Sequence, residues 1–135
     1  MTADVAVVRT FRAHPASLAT IRDFVREQAT FSLIEQDVAD DLVLAVSEAC
    51  GNAVLHSESA SIFVSWRVLD DAIEVQVKDE GVYRRKLRLE SLDGTAGHGT
   101  RLMLAAVDEL MVRGGTEARP GTLVRLVKRA QRAAV

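Results

Sequence analysis

Three short clusters in this sequence carry residue types that do chemistry, at spacings that bring them together. Glu48, Asn52 and His56 recur at every fourth position of an otherwise apolar stretch, DLVLAVSEACGNAVLHS. On a helix that spacing lines them up as one polar stripe, which calls for a polar partner or a solvated face. Asp79-Glu80-Gly81 stands where an alternating run ends, so a carboxylate sits at a strand tip beside a residue free to take positive φ. Such a carboxylate can close a simple turn or accept a hydrogen bond from an exocyclic amino group such as that of adenine. The third cluster, GTAGHGT from Gly94 to Thr100, leads directly into an apolar helical pattern. Its glycines let backbone N–H groups approach a ligand, and the helix N-terminus adds partial positive charge, a combination that favours a phosphate chain. The loop is neither a Walker A sequence, since no Gly-Lys-Ser/Thr follows, nor a dinucleotide fingerprint, since no strand immediately precedes it.

The elements that must position these clusters are readable from periodicity. A first strand is expected between Asp4 and Arg12, with Val5, Val7 and Arg9 on one face, and His14-Pro15 breaks it. Leu18, Ile21, Phe24, Val25 and Gln28 then recur at helical spacing, with Pro15 or Ser17 as start signals and an end near Thr30. The central helix is expected from near Ile34 through Ser57, its apolar stripe formed by Val38, Leu42, Ala45, Val46, Ala49 and Ala53. Ile62, Val64, Trp66 and Val68 alternate, as do Ile73, Val75 and Val77 against Glu74, Gln76 and Lys78, and the two runs predict a hairpin. After Gly81 a basic stretch without sustained period predicts a lid. A helix from Thr100 to Leu110 and strands at about Met111 to Arg113 and Thr122 to Val127 complete the chain. The expected fold is α+β, a two-layer sandwich of a mixed, mostly antiparallel sheet with helices on one face.

Composition sets the outer bounds. The chain has 135 residues, 48% of them apolar and 27% charged, which suits one globular domain over residues 1–135. A net charge of −2 gives no basis for a surface that grips nucleic-acid backbone, so any anion site must be local. One cysteine, Cys50, excludes an internal disulfide and reads as a core thiol. Three scattered histidines and that cysteine provide no zinc cluster. Ser57 beside His56 on one helix end cannot act as nucleophile and base. No stretch is long and apolar enough to cross a bilayer, and MTADVAVVRTFRAH lacks the features of a secretion signal, so a cytoplasmic location without membrane partners is expected.

The order of the clusters adds what none carries alone. EACGNAVLHS, VQVKDEG, AGHGTRLM and GTLVRL resemble the successive ATP-binding motifs of the GHKL ATPase superfamily, and the resemblance runs from about residue 10 to residue 128. Within that superfamily the chain looks most like the anti-sigma-factor serine/threonine kinases. The resemblance implies ATP and Mg²⁺ as cofactors, Asn52 as the magnesium ligand and Glu48 as general base for the attacking hydroxyl. It implies Asp79 at the adenine amino group, Gly81 close to the base, and Thr122 assisting there. Gly97 and Gly99, with His98 and Thr100 in the same loop, would cradle the phosphates, and Arg101 would meet the terminal one. His56 matches a position often histidine in these kinases, and its expected role is structural. The implied partners are an anti-sigma-factor antagonist, phosphorylated on Ser or Thr, and a sigma factor; nucleic acid is not a direct partner, and the family allows a homodimer. Two departures stand out. Tyr83 replaces the second glycine of the family's Asp-x-Gly-x-Gly, and the basic run Arg84, Arg85, Lys86 follows it. Tyr83 motivates an alternative, a catalytically inactive nucleotide-sensing or partner-binding module of the same fold. A two-component histidine kinase is disfavoured because no helix pair with a phosphoacceptor histidine is present.

Overall fold

The computed structural model describes residues 6–56, 59–81, 98–114 and 121–131. Five strands, β1 (Val7–Arg12), β2 (Ser61–Val68), β3 (Ala72–Asp79), β4 (Glu109–Gly114) and β5 (Thr122–Arg129), form one sheet in the order β1-β2-β3-β5-β4. The sheet expected to be mostly antiparallel is antiparallel at every pairing of these strands. Three helices, α1 (Ser17–Phe31), α2 (Gln36–His56) and α3 (His98–Ala106), cover one of its faces.

Alternation decides which side chains meet the helices. Ile62, Val64 and Trp66 of β2, Ile73, Val75 and Val77 of β3, and Val124 and Leu126 of β5 are all buried against Ile21, Phe24 and Val25 of α1 and Leu42, Val46, Ala49 and Ala53 of α2. On the edge strand β1, Phe11 packs edge-on to Phe24 and the Arg9 guanidinium lies 4.9 Å from the centre of the Phe24 ring. Trp66, 2% exposed, donates its indole N–H to Ser32 Oγ at 3.0 Å, which makes burial of that polar edge tolerable.

α1 starts at Ser17, one of its two expected start signals; the N-cap is Ala16, and the His14 ring accepts its backbone N–H through Nδ1 at 3.0 Å. Two boundaries differ from the periodicity. α2 begins at Gln36 rather than near Ile34, because α1 ends in a tight reversal. Leu33 takes φ 60 and donates to Thr30, and Ile34 donates to Ala29, the paired bonds of a Schellman-type stop. α3 ends at Ala106 and Leu110 belongs to β4. There the Asp108 N–H bonds to the Val127 carbonyl, and the Asp108 carboxylate accepts the Arg129 N–H at 2.6 Å, so the chain is drawn into the sheet before another helical turn can form.

Candidate functional site

α2 keeps its helical course through Gly51, a residue that weakens a helix interior by roughly 1 kcal/mol relative to alanine. Packing compensates: Leu42, Ala45, Val46, Ala49, Cys50 and Ala53 are all at most 1% exposed. Burial pushes the Cys50 thiol up to about 12, so it is an inert core group. On the other side of the helix Glu48 and Asn52 sit one turn apart and half-buried. Neither side chain has a hydrogen-bond or ion-pair partner among the described residues. His56 closes the helix; its side chain lies outside the described residues.

The sheet supplies a second group of residues at the tip of β3. Asp79 is 2% exposed and points to the helix-covered face, as Val77 does. Its Oδ1 accepts the Gly81 N–H at 3.0 Å, so the simple turn considered from sequence is present. Thr122, 7% exposed, is the cross-strand partner of Asp79 and shares its face. Two further residues build this corner, and sequence reasoning had not singled them out. Gly121 has φ +132, and a Cβ there would stand 2.7 Å from the Asp79 carbonyl oxygen, so only glycine fits against the β3 tip. Ser59 Oγ accepts the Glu80 N–H at 3.2 Å and donates to the Ser61 carbonyl at 2.7 Å, tying the residue after Asp79 to the start of β2. Gly121 was visible only as the first residue of GTLVRL, and Ser59 only as a residue before a strand.

α3 contributes the third side. It starts at His98, two residues before the expected Thr100, so Gly99, Thr100 and Arg101 fall in its first turn. Thr100 is half-buried and Arg101 is exposed. Met103 and Ala106 are buried and hold α3 in the core shared with α2. Gly97, Tyr83, Arg84, Arg85 and Lys86 lie outside the described residues, as do the side chain of His98 and the Gly94-to-Gly97 part of the glycine loop. The fold thus brings Glu48 and Asn52 on α2, Thr100 and Arg101 on α3, and the Asp79–Thr122 pair to the helix-covered side of the sheet.

The helix-free side is built differently. A groove of about 340 Å³ runs there between Val8, Phe63, Ser65, Arg67, Gln76 and Lys78, and none of the residues expected to carry chemistry lines it. Its charges largely satisfy one another. Glu74, 4% exposed, pairs with Arg67 at 3.0 Å and with Arg125 at 2.5 Å, and Arg125 also reaches Glu109 at 3.5 Å. The hydrogen bond to Glu74 raises the Arg125 pKa above its ordinary value, so this guanidinium stays charged. Arg67 Nε alone is buried without a partner among the described residues.

No group of three or more metal-ligating side chains that could hold an ion occurs among the described residues. Magnesium keeps waters and takes substrate phosphates as ligands, so one amide oxygen without a partner among the described residues, that of Asn52, fits an ion that arrives with a phosphate chain. No described helix is long and apolar enough to cross a membrane.

Comparison with known proteins gives a consistent set of relatives. The histidine kinase-like ATPase domain matches residues 11–128. The serine-protein kinase RsbW of Bacillus subtilis (strain 168) is 36% identical over 73 residues, which is 51% of this chain and 46% of that protein. Among solved structures, that of the RsbU and RsbW domains of Rv1364c from Mycobacterium tuberculosis superposes with TM-score 0.74 at 24% identity, covering 96% of this chain and 34% of that one. The histidine kinase domain of the blue-light activated histidine kinase from Erythrobacter litoralis EL346 superposes with TM-score 0.59 at 22% identity, covering 84% of this chain and 59% of that one. At these identities the two structures establish likeness of fold, and the chain spans less than half the length of the curated relative.

Proposed function

The chain belongs to the histidine kinase-like ATPase domain family, and from that premise we propose that it is an ATP-dependent protein serine/threonine kinase of the anti-sigma-factor type. Its substrate is a Ser or Thr hydroxyl of an anti-sigma-factor antagonist, and its second partner is a sigma factor that it sequesters. The observation that carries this reading is the pair Glu48 and Asn52, aligned on α2, half-buried and without partners among the described residues, on a helix whose other side is core. The similarity to the RsbW serine-protein kinase supports the same class of reaction.

In this reading Asp79 and Thr122 hold the adenine, with Gly121 keeping their strands in close register and Gly81 giving the base access to the backbone. The first turn of α3, with Gly97 and Gly99, holds the phosphates, and Arg101 meets the terminal one. Asn52 holds the magnesium ion, which neutralises phosphate charge when bound. Glu48 accepts the proton of the incoming hydroxyl as that oxygen forms its bond to the γ-phosphorus and the bond from phosphorus to the ADP oxygen breaks. The carboxyl then gives its proton to solvent. A base of this kind contributes about 10² to 10⁴ in rate, and positioning supplies most of the rest.

The test is transfer of label from γ-³²P ATP, with magnesium, to a purified antagonist domain from the same genome. Labelled phosphoserine or phosphothreonine with the wild-type chain, and a loss of at least a hundredfold with Glu48→Ala at unchanged ADP affinity, is the expected result. Transfer at the same rate in Glu48→Ala would remove Glu48 as the base. Magnesium-dependent nucleotide binding with no phosphoprotein would favour the inactive regulatory module instead.

A further inference from the structure

The α2 face that carries Glu48 also carries apolar surface that lies outside the core. Leu44, Glu48, Gly51 and Leu55 follow the spacing i, i+4, i+7, i+11, a single line along the helix about 16 Å long. Leu44 is 39% exposed and Leu55 is 73% exposed, whereas Leu42, Val46, Ala49 and Ala53 on the opposite side are at most 1% exposed. Between them the helix surface is open: apart from its own helix backbone and chain neighbours, a methyl group built on Gly51 meets no atom of the described residues within 4 Å. One exposed leucine on a soluble protein is ordinary. Two leucines that bracket, on one line, a carboxylate without a partner among the described residues are a different matter, because under the proposed function an acceptor hydroxyl must come within about 3 Å of Glu48, and the protein bearing it must then lie over this line.

The same line continues toward the start of α2 through Asp41 and Asp37. Asp41 is paired with Lys128 at 3.1 Å, while Asp37 is exposed and has no partner among the described residues. The surface is therefore apolar on both sides of Glu48 and acidic at its far end.

We propose that Leu44 and Leu55 are the two apolar anchors on which the protein acceptor docks. Its complementary surface presents the acceptor Ser or Thr between two apolar side chains, with a basic group toward Asp37. This rests on the reading of Glu48 as the base that receives the hydroxyl proton.

The experiment compares wild type with the double variant Leu44→Ser/Leu55→Ser, using the same purified antagonist domain as acceptor. The expected result is a KM for the antagonist raised tenfold or more, with kcat at saturating antagonist and ADP affinity unchanged. Leu55→Ser alone, at the more exposed position, shifts KM in the same direction by less. Phe31→Ser removes a side chain equally open to solvent, 70% exposed, at the C-terminal end of α1, and should leave the KM where it was. An unchanged KM in the double variant, or an equal rise in Phe31→Ser, overturns the proposal. If the wild-type chain transfers no phosphate, direct titration with the antagonist domain separates the two ideas. Binding that weakens tenfold in the double variant supports the docking surface while the kinase reading fails, and binding that is absent or unaffected overturns the docking surface as well.

Discussion

Two glutamates on opposite sides of the molecule show how differently one side chain can be used. Glu74, on the helix-free face of the sheet, is 4% exposed and gripped by Arg67 and Arg125. Glu48, on the helix-covered side, is half-buried and has no partner among the described residues. Burying a carboxylate is costly unless charged hydrogen bonds compensate, and at Glu74 two arginines do so. That arrangement gives the carboxylate two counter-charges and ties strands β2, β3 and β5 together. Glu48 has no such partner among the described residues, which under the proposed reading leaves its carboxylate open to a ligand. Under the proposed function, partnering, more than burial or residue type, separates the structural charge at Glu74 from the working one at Glu48.

Removing each carboxylate puts that comparison at risk. Glu48→Gln should lower phosphoryl transfer by about 10² to 10⁴ and leave thermal stability within the error of a melting curve. A melting point that falls with an unchanged rate would reverse the two roles. Glu74→Gln should do the opposite: a loss of about 1 to 3 kcal/mol in urea unfolding, because two partly buried guanidinium groups lose their counter-charge, with ADP affinity unchanged. The estimate stays below that of a fully buried pair because the Arg67 and Arg125 side chains are 34% and 29% exposed.

Gly121→Ala acts on both sides at once. The forced contact with the Asp79 carbonyl and the positive φ should cost about 1 to 3 kcal/mol and weaken ADP binding, measured by calorimetry. The smallest effect is at Cys50. With its pKa raised to about 12 by burial, the folded thiol should resist iodoacetamide at pH 8 and react only on unfolding. The sign is fixed by the shift: the unfolded thiol ionises from its ordinary value of 9.0 and the folded one does not, so this group withdraws stability as pH rises from about 9 toward 12.

Much of the frame was legible in the sequence because a period of two and a period of 3.6 leave different marks. The β2–β3 hairpin, the apolar stripe of α2 and the sheet with helices on one face all follow from such patterns. Asp79 and Thr122 were legible as strand-tip residues, and their cross-strand pairing is what the fold adds. Register was not legible, and much of what was missed depends on it. Alternation assigns Glu74 to the polar side with Gln76 and Lys78, yet Arg67 stands directly opposite it across β2 and Arg125 one strand away on β5, and together they seclude it. Gly121 and Ser59 matter because of the backbone they face across the sheet. Leu110 fits the helical stripe by spacing, but pairing of β4 with β5 claims it for the sheet opposite Leu126.

The central claim is that Glu48, Asn52 and Asp79 surround a nucleotide held with magnesium. It is tested most directly by isothermal titration of the protein with ATP and ADP, with and without magnesium, alongside Asn52→Ala. The account predicts binding that magnesium strengthens in the wild type, and loss of that strengthening in the variant. Absence of binding under every condition, or equal magnesium dependence in both proteins, would contradict it.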